Sequence, residues 1–108
     1  MRPVAAALLA ALLAAAGCSD PCKDLGNRLC DCSPVGVTQA SCRQGVSTEI
    51  SRLHPGKDVQ DVCSQKLDTC HAPEGVTFCD WLEGRCGKAG CGMSEEDLQA
   101  LRDEGICQ

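Results

Sequence analysis

Eleven cysteines in a chain of 108 residues set the narrowest limit on what this sequence can fold into. Cysteine at about one residue in ten marks, in a short chain, a scaffold held by disulfides in an oxidising compartment. One Trp, one Phe and no Tyr leave little aromatic material for a core. This length accommodates one small domain and excludes a two-domain enzyme. Fifteen Asp and Glu stand against ten Lys and Arg, a formal charge of −5. The cations do not cluster, so the sequence offers no phosphate-neutralising surface and nucleic acid is not an expected partner.

Residues 1–17 read as an export signal. Arg2 supplies one positive charge, and Val4 to Ala16 is an uncharged Ala/Leu run of 13 residues. A membrane-spanning helix needs about 20 residues, whereas a run of this length suits the apolar region of a signal peptide. Ala15-Ala16-Gly17-Cys18 resembles a bacterial lipobox, with Ala15 standing where Leu is usual. The resemblance implies a lipoprotein whose mature N-terminus is Cys18, carrying a thioether-linked diacylglycerol and an N-acyl chain such as palmitate. Two or more acyl chains anchor stably where one binds reversibly. The alternative is ordinary secretion, with cleavage after Ala16. Parity separates the two: lipidation of Cys18 leaves ten cysteines, which can pair completely, while ordinary cleavage leaves eleven and one unpaired. Ser19, by resemblance to Gram-negative sorting signals, permits the outer membrane, which is therefore expected over the inner one. The expected organisation is a signal at 1–17, a lipidated tether at 18–21 and a cysteine-rich domain at 22–108.

The mature region carries helix signals and no strand pattern. Asp20 can cap a first helix with Pro21 at its first position, presenting Cys22, Leu25 and Leu29 on one face. Thr38 can cap a second, whose stripe Cys42, Val46, Ile50 and Leu53 is the strongest helical pattern, ended by His54-Pro55-Gly56. Asp58 and Asp61 resemble a capping box for a third, with Val59, Val62, Cys63, Leu67 and Cys70 on one face and Pro73 beyond its end. Thr77 and Asp80 repeat the device for a fourth, bearing Phe78, Trp81, Leu82 and Cys86 and terminated by Gly87. Ser94-Glu95-Glu96-Asp97 caps a short fifth with Leu98 and Leu101, closed by Gly105 with Ile106 folding back. The expected fold is all-α, four to five short helices stapled by about five disulfides. Fifteen Leu, Ile and Val with Phe78, Trp81 and Met93 make a marginal core for the mature region. Disulfides, each contributing about 2 to 4 kcal/mol, would decide its stability, and reduction is expected to unfold it.

The disulfide candidates are Cys22, Cys30, Cys32, Cys42, Cys63, Cys70, Cys79, Cys86, Cys91 and Cys107. Ten cysteines admit about 945 complete pairings. Cys63 and Cys70, like Cys79 and Cys86, lie roughly 10.5 Å apart along one helix, too far to bond within it. Joining Cys30 to Cys32 would close a strained ring, so separate partners are expected. The spacing C-x6-C, eight residues, C-x6-C resembles the twin-cysteine arrangement of disulfide-stapled helical hairpins. That resemblance implies Cys63 with Cys86 and Cys70 with Cys79, although Cys91 is placed to capture Cys79 instead.

Candidate chemistry is sparse. Cys30-Asp31-Cys32 lacks the C-x-x-C spacing of redox dithiols, a spacing found nowhere in the chain. Helix-borne thiolates could hold Cu(I), the competing function, but cysteines in loops and a single Met after the signal suit a copper-lined bundle poorly. Cys70-His71 lacks the first cysteine of a haem-attachment motif, with Leu67 in its place. His54 and His71 follow helices, where the dipole accounts for them. Glu95-Glu96-Asp97 suits a first helical turn, and the glycine-containing loop of an EF-hand is missing. Trp81 is the one large anchor, expected in the core.

Phe78-Cys79-Asp80-Trp81-Leu82, followed by Gly87-Lys88 and Cys91-Gly92, resembles small cysteine-rich lipoproteins of bacterial genomes. The resemblance covers the mature region and brings a location and a disulfide expectation, with no activity. The expected protein is non-enzymatic, without cofactor or metal, anchored to the membrane through Cys18, and a structural or protein-interaction module of the cell envelope.

Overall fold

The computed structural model describes residues 20–34 and 36–108. The expected signal at 1–17, Cys18 and Ser19 lie outside the described residues. Six α-helices and no strand occur among the described residues: α1 Pro21–Cys30, α2 Gln39–Leu53, α3 Lys57–Thr69, α4 Phe78–Glu83, α5 Arg85–Gly90 and α6 Leu98–Asp103. The chain is all-α, with one helix more than the sequence pattern suggests.

Local chemistry explains most helix ends. Asp20 accepts a hydrogen bond from the Lys23 amide at 3.3 Å, and Pro21 opens α1 without wasting an amide proton. Thr38 Oγ1 accepts from the Ser41 amide at 3.0 Å to start α2, and His54, in the left-handed region at φ 46°, stops it. The helix α3 begins one residue before Asp58, so the expected box does not form, and Asp61 instead pairs with Lys57 at 2.7 Å. The Thr77 hydroxyl donates to Asp80 at 2.7 Å rather than capping the α4 backbone. At α6 the cap is Asp97, accepting from the Ala100 amide at 3.0 Å. Its end is a Schellman turn: Gly105 has φ 77°, and the Ile106 amide donates to the Leu101 carbonyl at 2.9 Å.

The extra helix comes from Gly84, whose extended backbone divides what the sequence suggests is one helix into α4 and α5. The corner depends on Gly87, which lies within α5 instead of ending it. A Cβ there would collide with the Trp81 carbonyl and stand 2.6 Å from Leu82 Cα.

Two packing units result. In the arm, α1 lies between α2 and α3. It runs antiparallel to α2, with Cys30 bonded to Cys42 and Gly26 facing Val46. It runs parallel to α3, with Cys22 bonded to Cys63 and Arg28 donating to the Leu67 and Cys70 carbonyls at 2.9 and 3.1 Å. Neither α2 nor α3 contains a buried residue. Val59 and Val62, expected inside, are 54% and 53% exposed. The face of α3 turned to α1 carries Gln60 and Cys63, the Leu67 and Cys70 carbonyls meet Arg28 at its end, and Gln60 bridges the Asp20 carboxylate and the Cys22 amide. Leu53 is 59% exposed because fifteen-residue α2 outruns ten-residue α1. The head comprises α4, α5 and α6. One cluster there joins Ala89, Leu98, Leu101 and Cys107. A second, around Cys70, Leu82 and Cys91, receives Leu25 and Leu29 from α1 together with Phe78 and Trp81.

Two glycine substitutions should move stability in opposite directions. Gly87→Ala forces backbone apart and should cost about 2 kcal/mol or more. Gly45→Ala places a methyl group in open space within α2 and should gain roughly 0.5 to 1 kcal/mol. Urea unfolding of the oxidised proteins measures both.

Candidate functional site

The sulfur framework dominates the chemistry of this fold. Five disulfides join Cys22 to Cys63, Cys30 to Cys42, Cys32 to Cys79, Cys70 to Cys91 and Cys86 to Cys107, with Cα separations of 4.5 to 5.8 Å. Cys18 lies outside the described residues. Cys30 and Cys32 hold different partners, so Asp31 does not separate the halves of a dithiol. The hairpin pairing of Cys63 with Cys86 and Cys70 with Cys79 does not occur, nor does a Cys79–Cys91 bond. Both fail for the same reason: α3 lies along α1, which puts Cys63 opposite Cys22, and α5 is pinned to the end of α3 instead. Thr69 Oγ1 donates to the Gly90 carbonyl at 2.6 Å, an approach that needs glycine because a Cβ at residue 90 would be 2.7 Å from the Thr69 carbonyl. That contact seats Cys91 beside Cys70. Cys79, left facing the end of α1, reaches Cys32, and its sulfur lies 3.8 Å from the Asp31 carbonyl.

The head carries a groove of about 470 Å³ whose lining includes Val76, Trp81, Leu98, Ile106, His71 and Arg102. It is largely apolar. Arg102 Nε donates to the Gln108 carbonyl at 2.9 Å, tying the last residue to α6. Arg28 closes the α3 C-terminus with its two carbonyl contacts and lies 3.5 Å from His71 Nε2. Trp81 is only half-buried, its ring tilted at 41° to that of Phe78 with centroids 6.2 Å apart, while also lining the groove.

Other candidate groups are engaged structurally. Glu96 forms a bidentate pair with Arg85, with Nη2 to Oε1 at 2.6 Å, and Asp97 caps α6. The fold brings Ser51, His54 and Asp20 to one recess at the arm's end, a meeting that sequence spacing does not suggest. Asp20 Oδ1 there serves the Lys23 amide and Gln60 Nε2, and no hydrogen bond links the three side chains. These three side chains do not form a catalytic relay. Among the described residues, no group of three or more His, Cys, Asp or Glu is gathered around a possible metal position.

The Arg85 guanidinium holds the Glu96 carboxyl below its ordinary value, chiefly by hydrogen bonding. Any stability from this pair is complete above the usual carboxylate pKa of about 4.3 and disappears as pH falls through the lowered value. Because the pair is open to solvent, Glu96→Gln should lower the melting temperature only slightly at neutral pH, and the difference from wild type should vanish in acid. Peptide mapping after cleavage before aspartate, which separates Cys30 from Cys32, and then before apolar residues, which cuts within 33–41, 71–78 and 87–90, should recover the five pairs above and no Cys63–Cys86 or Cys70–Cys79 peptide.

No protein-family model matches the chain, and no curated protein or solved structure matches it.

Proposed function

We propose that this protein is a lipid-anchored, extracytoplasmic interaction module of the bacterial cell envelope, without enzymatic activity, more at home in the outer than in the inner membrane. The observation that carries the reading is cysteine parity. The ten cysteines after Cys18 pair among themselves, leaving Cys18 no partner in the chain. A lone thiol preceded by Ala15-Ala16-Gly17 and an apolar run suits acylation, and five disulfides suit a compartment outside the cytoplasm. In this reading residues 1–17 are removed and the acyl chains on Cys18 hold the domain at the membrane.

The groove supports interaction as the role. It offers apolar side chains, among them the partly exposed Val76 and Ile106, beside the cation of Arg102. Such a surface suits a protein segment that presents an apolar side chain next to a carboxylate. The competing reading, a thiolate site for Cu(I), needs reduced sulfurs, whereas the ten in this fold are bound to one another.

The intact mass of protein isolated from the native membrane tests the proposal. The expected result is a chain starting at Cys18 with added diacylglycerol and acyl mass, no alkylation before reduction and ten alkylated cysteines after it. Cys18→Ala should abolish the lipid mass and release a soluble protein. A mass without lipid, or thiols alkylated in the native state together with retained metal, overturns the reading.

A further inference from the structure

Asp20, two residues after Cys18, caps α1 at the end of the arm farther from the head. Ile50, Ser51, His54 and Pro55 share a recess with it, and Gln60 is hydrogen-bonded to it at 2.9 Å. The α2–α3 turn therefore lies at the same end as the chain that leads to Cys18. Two of the largest exposed apolar side chains are here: Leu53, at the close of α2, and Val59, whose carbonyl lies 3.5 Å from Cys22 Sγ. The head is joined at the opposite end of α1, through Cys32 and through Cys70.

We propose that this end of the arm rests on the lipid surface, with Leu53 and Val59 entering the interface, so that the arm is a pedestal holding the head groove away from the membrane. The inference rests on Cys18 being lipidated, as proposed above. Two residues of chain reach at most about 7 Å, so an acylated Cys18 brings Asp20 to the headgroup region. The ten-residue helix α1 then separates that surface from the head by about 15 Å. Apolar contact, not charge, makes the attachment. The cations at this end are largely answered, Arg52 by Glu49 and Lys57 by Asp61, both at 2.7 Å, and Asp20, Asp24 and Asp58 lie nearby in sequence. Binding should therefore not strengthen with anionic lipid.

The test uses native lipidated protein reconstituted in phosphatidylcholine vesicles with ordinary or brominated acyl chains. Trp81 is the one natural indole, and it belongs to the head. Its emission should be the same in both vesicles. In Leu53→Trp, an exposed and conservative change, the emission added by the new indole should be blue-shifted and quenched by brominated lipid. Replacing part of the phosphatidylcholine by phosphatidylglycerol should change neither result. Flotation of each protein with the vesicles, against Cys18→Ala, reports anchoring separately. If the protein does not float, the lipid anchor fails and the pedestal with it. If it floats but residue 53 is unquenched, or Trp81 is quenched, the anchor stands and the proposed orientation is wrong.

Discussion

Covalent sulfur cross-links are the constraint on which the rest of this structure depends. The arm shows why: α2 and α3 bury no residue, yet both are held against α1, one through Cys30–Cys42 and the other through Cys22–Cys63. The five bonds close separations of 12 to 47 residues. In the chain-entropy picture, loops of that size restrict the unfolded state by about 3 to 4 kcal/mol each, with nesting making the sum smaller. Against them, Leu82, Leu98 and Leu101 are the only buried leucines among the described residues, each contributing about 1.5 to 3 kcal/mol. The apolar clusters organise the head, and sulfur holds the arm to it.

The cross-links also divide the labour between the two units. Cys32–Cys79 and Cys70–Cys91 both tie the arm to the head, and Leu25 and Leu29 bury themselves in the same junction. Two covalent ties and a shared apolar cluster limit hinging there, so the position of the groove is set by the arm. Cys86–Cys107 then fixes the last residues beside α5, making Ile106 and Arg102 part of the groove wall. If Cys18 carries lipid, the geometry of attachment passes through α1 to that groove without a flexible domain linker.

Much of the helical framework was legible in the sequence because it depends on local chemistry. Asp20-Pro21, Thr38 and Gly105 act over a few residues, and their roles do not require knowledge of distant contacts. The stripe from Cys42 to Ile50 also holds, while Leu53 escapes because helix lengths, not periodicity, decide where contact ends. Disulfide pairing was not legible, since it follows from α1 and α3 lying parallel, a tertiary fact. Neither was the choice of Gln60 over Val59 as the inward residue of α3. That choice depends on Asp20 and the Cys22 amide being there to receive it. The division at Gly84 was hidden because Thr77 and Gly87 look like the two ends of one helix until the close approach of Gly87 to Trp81 and Leu82 is seen. The groove, assembled from the loop after α3, α4 and the segment around α6, has no motif at all.

The most direct measurement of the central claim is far-ultraviolet circular dichroism of the protein before and after complete reduction and alkylation in a buffer free of denaturant, with Trp81 fluorescence recorded alongside. The account predicts that the reduced, capped chain loses most of its helical signal, that Trp81 emission shifts to the red and that no cooperative thermal transition remains. A reduced chain that kept its helices, its Trp81 emission and a cooperative melt would contradict it.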